Sequence, residues 1–286
     1  MPAEPPVESP ASLADAYGLL GDGGPAWRPV AGGTDLLVQI TGELGPTPER
    51  VLDIWGLDEL RGINLEGDEL VIGALTTYTD LRTSALVGEL LPALATASAT
   101  IGAAQIQNRG TVGGNLVNAS PAGDTLPIWL ATDTSIVVGG ANGERSVPAA
   151  EFFTGYRQTA RREDELVLRV RVPLLPRRHV RFRKVGTRRA QAISKVVMAL
   201  SWLTGEDGAW QNCRVALGSV AATPVRASAT ENALNGRHPV RATAGSAVTA
   251  LEGEIHPIDD VRSTADYRRL VAGRVLRRLL REEGGW

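Results

Sequence analysis

Two short runs rich in glycine, threonine and asparagine hold the residues of this chain best suited to chemistry. The first is Pro29-Val30-Ala31-Gly32-Gly33-Thr34-Asp35-Leu36. The second is Gln105-Ile106-Gln107-Asn108-Arg109-Gly110-Thr111-Val112-Gly113-Gly114-Asn115, continuing through Asn118 to Ser120-Pro121-Ala122-Gly123-Asp124. Glycine has no Cβ, so it reaches positive φ and lets backbone N–H groups approach a ligand closely. Successive amides turned the same way form a concave nest that suits an anion such as a phosphate. One such loop is equally an ordinary turn, because Gly and Asn favour turns for steric reasons alone. The pair is more specific, since two nests can hold the two phosphates of one pyrophosphate. Across residues 105–115 the only fixed charge is Arg109, so the hydroxyl and amide side chains would add neutral hydrogen bonds.

Other chemistries are excluded by what is missing. The single cysteine, Cys213, allows no intrachain disulfide and no cysteine-ligated zinc or iron–sulfur site. His179, His238 and His256 stand in no metal-ligand spacing. No Ser/His/Asp or Cys/His constellation is present, so neither a catalytic residue nor a metal site is expected. The formal net charge of −2 gives no reason to expect nucleic acid as a partner. No apolar run approaches the length of a membrane span. The first residues lack the basic and apolar regions of a signal peptide, so a cytoplasmic protein is expected.

The 286 residues, 43% hydrophobic and 22% charged, suffice for two domains with their own cores. The first ten residues are proline-rich and read as a loose arm. Ser12 caps a short helix to Leu20, halted by Gly21-Asp22-Gly23-Gly24. Strands at 27–30 and 51–54 flank the first glycine loop and a helix over 35–40, giving a small β-α-β unit. The N-terminus of that helix faces the loop and would add to its attraction for an anion. A hairpin turns at Glu66-Gly67-Asp68, and a helical stretch over 79–99 is divided by Pro92. A short buried helix spans 126–131. A second hairpin follows around 139–143, then a strand over 166–172. Beyond a boundary at 173–178, three strands of an antiparallel sheet (180–185, 193–203, 213–220) precede helices at about 224–234, 244–251 and 265–281. Residues 161–195 carry twelve Lys/Arg against three acidic residues. Together with the arginine-rich last helix this stretch is a candidate contact surface, although a charge run is more often a solvated face.

Taken together, these segments resemble the FAD-binding medium subunit of the molybdenum hydroxylases, the family of the carbon monoxide, aldehyde and xanthine dehydrogenases. The resemblance runs nearly end to end. Ala31-Gly32-Gly33-Thr34-Asp35-Leu36-Leu37 is similar to the family's first pyrophosphate loop, and Asn108-Arg109-Gly110-Thr111-Val112-Gly113-Gly114-Asn115-Leu116 with Asn118 to Pro121 and Asp124 to its second. Ile72-Gly73-Ala74, Arg183-Lys184-Val185-Gly186 and Ile193-Ser194-Lys195-Val196 resemble further family segments. The implied fold is α+β: a PCMH-type FAD-binding domain over 1–175, with subdomains at about 1–58 and 59–175, then a C-terminal domain over 176–286. By the resemblance, Pro29 to Leu36 and Thr111, Val112, Gly113, Gly114 and Asn115 hold the pyrophosphate of non-covalent FAD. Asp124 and Lys184 match positions that contact the flavin nucleotide, and Ile101 and Val167 positions that line its aromatic part. Gln107 departs from the family, which usually has arginine there. Either neutral hydrogen bonds from Gln107 or Arg109 must then brace the loop.

The implied function is electron transfer. Substrate is oxidised at a molybdopterin centre on a large subunit, and electrons pass through two [2Fe–2S] clusters on a small subunit to FAD here, then to NAD⁺ or another acceptor. A heterotrimer or its dimer is the implied assembly. Two other readings compete: a self-sufficient FAD oxidase, and a nucleotide-binding scaffold without redox chemistry. Such oxidases often attach FAD through a histidine near the first glycine loop, where this chain has none. Neither a P-loop nor a Rossmann fingerprint is present to favour the scaffold.

Overall fold

The computed structural model describes residues 5–42, 46–188 and 191–286. Strands β1 (Val7–Glu8), β2 (Trp27–Val30) and β3 (Arg50–Asp53) form a parallel sheet in the order β1-β3-β2. Helix α1 (Leu13–Leu20) joins β1 to β2, and α2 (Leu36–Thr41) lies between β2 and β3. The Ser12 hydroxyl caps α1 by accepting the Asp15 N–H at 3.1 Å. The N-terminal arm differs from the loose segment expected: β1 pairs Val7 with Val51 and Glu8 with Leu52. Residues 1–4 of that arm lie outside the described residues.

The middle of the chain builds an antiparallel sheet with helices on one face. Strands β4 (Ile63–Glu66) and β5 (Glu69–Gly73) make the expected hairpin, with Gly67 at φ +58° in the turn. Helices α3 (Tyr78–Thr83), α4 (Ala85–Leu90) and α5 (Pro92–Ser98) follow. Pro92 opens α5, but the stretch is also broken at Ser84, whose hydroxyl caps α4 through the Val87 N–H. That local cap adds a second break to the one read at Pro92, so the stretch holds three helices and not two pieces. Short helices α6 (Ala104–Gln107), α7 (Val112–Asn118) and α8 (Leu126–Ala131) lead into β6 (Ser135–Gly140) and β7 (Gly143–Pro148). After α9 (Ala149–Phe152), β8 (Phe153–Gly155) and β9 (Gln158–Thr159) comes β10 (Leu166–Pro173), and the sheet order is β4-β5-β10-β6-β7. Alternation along β6 sends Ile136 and Val138 to the core beneath the helices and Val137 to the small core shared with the N-terminal sheet.

The C-terminal sheet is antiparallel, as read from the sequence: β11 (Arg178–Val185), β12 (Val196–Thr204) and β13 (Trp210–Gly218). A two-residue fourth strand, β14 (Val225–Arg226), adds to its edge and is too short to leave a periodic signal. Helices α10 (Ser228–Leu234), α11 (Arg241–Glu254) and α12 (Ala265–Gly284) cover one face. Val196, Met198 and Leu200 of β12 pack with those helices, whereas Val197 and Ala199 join the core of the middle sheet. Burial on both faces explains the nearly unbroken apolar run of β12. It also clamps the C-terminal sheet against the segment that carries the second glycine run.

The basic stretch is largely neutralised within the chain. Arg171 pairs with Glu66 and Glu69, Arg178 with Asp133, Arg181 with Glu283 and Arg183 with Glu282. These pairs fix strand register and the seat of α12 rather than present a free cationic face.

Candidate functional site

A cavity of about 830 Å³ opens where the three sheets meet, within the range of cofactor sites. All of residues 29–36 line it, with Ile101, Thr111, Gly113, Gly114, Asn115, Asp124 and Val167. Of the residues singled out from the sequence, Val112 and Lys184 do not. Val112 is buried in the core, and Lys184 stands behind Asp124.

The first loop is built as a nest. Gly33 takes φ +74°, which turns the chain from β2 into α2. Among the described residues no acceptor meets the backbone N–H groups of Gly32, Gly33, Thr34 or Asp35. Four successive free amides on a cavity wall are what an anionic ligand needs. Gly32 also keeps the two runs in contact, because a Cβ there would stand 1.6 Å from the Arg109 carbonyl oxygen. The two glycine runs therefore touch backbone to backbone at a point where only glycine fits.

The second run is not a loop of the same kind. Residues from Val112 form α7, and its first amides are already bonded: Val112 to the Thr76 carbonyl (3.0 Å), Gly113 to the Ala74 carbonyl (2.8 Å) and Gly114 to Thr111 Oγ1 (3.1 Å). A second nest of free amides is thus absent among these residues. Gly113 is instead a packing glycine, since a Cβ would lie 2.8 Å from that of Ala74. The run reaches the cavity through the side chains of Thr111 and Asn115 and through Asn118. Asn118 donates to Asp35 Oδ1 at 2.9 Å and accepts from Arg157. Hydrogen bonds between side chains thus join the first loop, the end of α7 and the β8–β9 turn.

Asp124 is a buried carboxylate of the site. Its Oδ2 accepts from Lys184 Nζ at 2.6 Å, and Lys184 also donates to the Thr100 carbonyl at 3.0 Å. The other oxygen, Oδ1, is buried without a partner. Burial pushes the Asp124 pKa up to about 6, against the opposing pull of Lys184 and of the nearby Ser194 hydroxyl, which itself bonds to the Ala122 carbonyl and Ser219 Oγ. An orphaned acceptor on a cavity wall is a place for a ligand donor. Ile101 and Val167 supply apolar wall nearby, with Ile54 and Leu166.

Gln107 braces this segment through two neutral bonds and one from a guanidinium. It donates to the carbonyls of Ala99 (3.3 Å) and Ile101 (2.9 Å) and accepts from Arg82. Arg109 stacks on Trp55 instead.

Four further wall residues carry no sequence signal for the cavity, although Arg161 and Arg268 belong to the two arginine-rich stretches. Tyr78, buried in α3, packs its ring against Gly110. Arg161 donates to the Arg162 and Glu165 carbonyls, and burial lowers its pKa. Arg268 of α12 holds the Ser219 carbonyl (2.8 Å) and Asp260 (2.7 Å), and Ile258 lies exposed at the rim. Each reads as ordinary core or surface in one dimension, and no local motif marks it. Among the described residues no group of three or more His, Cys, Asp or Glu could hold a metal ion. Burial pushes the Cys213 thiol up to about 12, which leaves it an inert core residue.

Comparison with known proteins agrees with this architecture. Residues 4–175 match the family described as the FAD binding domain in molybdopterin dehydrogenase, and residues 181–283 the CO dehydrogenase flavoprotein C-terminal domain. The carbon monoxide dehydrogenase medium chain of Hydrogenophaga pseudoflava is 34% identical over 276 residues, 95% of this chain and 94% of that one. The glyceraldehyde dehydrogenase medium chain of Sulfolobus acidocaldarius is 32% identical over 261 residues, 91% of each chain. The solved carbon monoxide dehydrogenase of Hydrogenophaga pseudoflava superposes with a TM-score of 0.92 at 33% identity, covering 97% of this chain and 96% of its own.

Proposed function

The chain belongs to the FAD-binding medium subunits of the molybdenum hydroxylases, and we propose that it is the flavin-bearing link of an electron relay whose other centres lie on partner chains. Electrons would come from a molybdopterin large subunit through the [2Fe–2S] clusters of a small subunit. They would leave to NAD⁺ or another acceptor, in the cytoplasm. The division into a flavin domain over 1–175 and a C-terminal domain over 176–286 belongs to this reading.

FAD would supply the two-electron chemistry, and the chain's own residues bind and orient it. The loop 29–36 receives the pyrophosphate, with Thr111 and Asn115 adding neutral hydrogen bonds. Asp124, held by Lys184, accepts from the nucleotide through its free oxygen. Ile101 and Val167 cover apolar ring surface. The observation that carries this reading is the row of four unpartnered amides on the wall of a cavity large enough for a cofactor. None of the three histidines lines that cavity, which supports non-covalent binding. The test is co-expression with the neighbouring genes followed by size-exclusion chromatography, with a heterotrimer or its dimer expected. A chain that elutes alone, and alone oxidises a small substrate at ordinary turnover rates, would be an oxidase instead.

A further inference from the structure

We propose that Trp55 is a positioning residue for the cofactor, a latch that holds the second glycine run on the first through Arg109. This rests on the FAD reading above. Trp55 lies two residues beyond β3, in a turn closed by the Leu57 N–H to the Ile54 carbonyl at 3.1 Å. The guanidinium of Arg109 lies 3.7 Å from the centre of its ring, and that of Arg61 lies 4.5 Å from it. Arg61 is itself fixed, donating to the Trp55 carbonyl (2.6 Å) and to the Leu75 carbonyl (3.2 Å). The indole is therefore tied through Arg61 to β5's exit, and through Arg109 to the segment entering α7.

Arg109 is the residue whose carbonyl oxygen meets Gly32. Its Nε also points back at the Gly32 carbonyl, 3.5 Å away. The position of Arg109 thus sets the spacing between the free amides of the first loop and Thr111 and Asn115 opposite. Neither Trp55 nor Arg109 lines the cavity, whereas Gly32 and Gly110 both do. Trp55 therefore reaches the cofactor only through its neighbours, by way of Arg109 on one side and of Ile54 and Leu75, which line the cavity, on the other; coupling to Arg109 is what distinguishes the latch.

The experiment titrates FAD into the flavin-free full chain and its Trp55→Ala, Trp55→Phe, Arg109→Gln and Trp55→Ala/Arg109→Gln variants. A cation–π contact at a partly exposed site predicts about a two- to fivefold weaker affinity for Trp55→Ala. Trp55→Phe keeps a ring face and recovers part of that loss. The double variant binds no more weakly than the weaker single one, because both remove the same contact. A merely structural tryptophan would lower thermal stability without this coupling to Arg109. Unchanged affinity in Trp55→Ala, or losses that add in the double variant, would overturn the latch while the FAD reading stands. A wild-type chain that takes up no FAD would overturn both.

Discussion

Lys184 Nζ stands 2.6 Å from Asp124 Oδ2, while Asp124 Oδ1 is buried with no partner. The two residues are brought together because β11 crosses behind the segment that follows α7. The pair leaves one half of a buried carboxylate ready for a ligand donor.

FAD affinity should depend on pH through Asp124. Its pKa in the folded protein is about 6, raised by burial against Lys184. If the carboxylate accepts from the ligand, binding favours the deprotonated form. Affinity is then full above pH 6 and falls below it, by up to about tenfold per pH unit. Asp124→Asn should flatten the profile and weaken binding at pH 8 by about 1.5–3 kcal/mol, the range for a hydrogen bond to a charged group. Affinity that instead rises on acidification would make the protonated carboxyl a donor.

Lys184→Met should destabilise the fold in a pH-dependent way. Removing one member of a buried pair costs about 3–5 kcal/mol because the other charge is stranded. Asp124 already has a folded pKa above the ordinary carboxylate value, so the folded state holds the extra proton between that value and about pH 6. Stability therefore falls as pH rises through that window. The variant shifts the window upward, since it removes the charge that opposes the shift. Urea unfolding at pH 8 should show the loss in full, and at pH 5 only a small part of it. An equal loss at both values would show that packing of the lysine stem, not charge, is what matters.

Gly32→Ala should abolish flavin retention while the C-terminal core stays folded. The added methyl meets the Arg109 carbonyl oxygen at 1.6 Å, and neither backbone can yield without parting the two glycine runs. Far-UV circular dichroism close to wild type together with flavin at background is the expected result. Normal flavin content in this variant would mean that the contact does not shape the site.

The second glycine run should respond differently. Gly113→Ala presses on Ala74 at 2.8 Å and should lower stability by about 1–3 kcal/mol, the usual cost of overpacking. Gly114→Ala meets only Thr111 Oγ1 at 2.9 Å and puts at risk one N-cap bond, about 1 kcal/mol. Thermal melts of the two flavin-free variants check the order. The reverse order would point to the Gly114 amide, rather than the packing of Gly113, as what the run supplies.

Local signals make much of the fold legible. A turn glycine marks the hairpin at Gly67, a capping serine marks α1, and an unbroken apolar run marks β12. The second glycine run misleads because its three glycines read as a turn. Its helix depends on acceptors from Ala74 and Thr76, nearly forty residues earlier in the chain. The basic stretch misleads likewise, since the carboxylates that answer Arg181 and Arg183 sit about a hundred residues away on α12. The cavity residues that belong to a motif are legible by resemblance, and all of those singled out except Val112 and Lys184 line the cavity. Tyr78, Arg161 and Arg268 are invisible in one dimension because burial and proximity are properties of the folded chain.

Binding of FAD to this chain is tested most directly by equilibrium titration of the flavin-free protein, followed by acid precipitation of the saturated form. Saturation at one FAD per chain, full release of the flavin into the supernatant, and loss of binding in Gly32→Ala are predicted. Absence of saturable binding, flavin that stays with the pellet, or a Gly32→Ala chain that binds like wild type would contradict it.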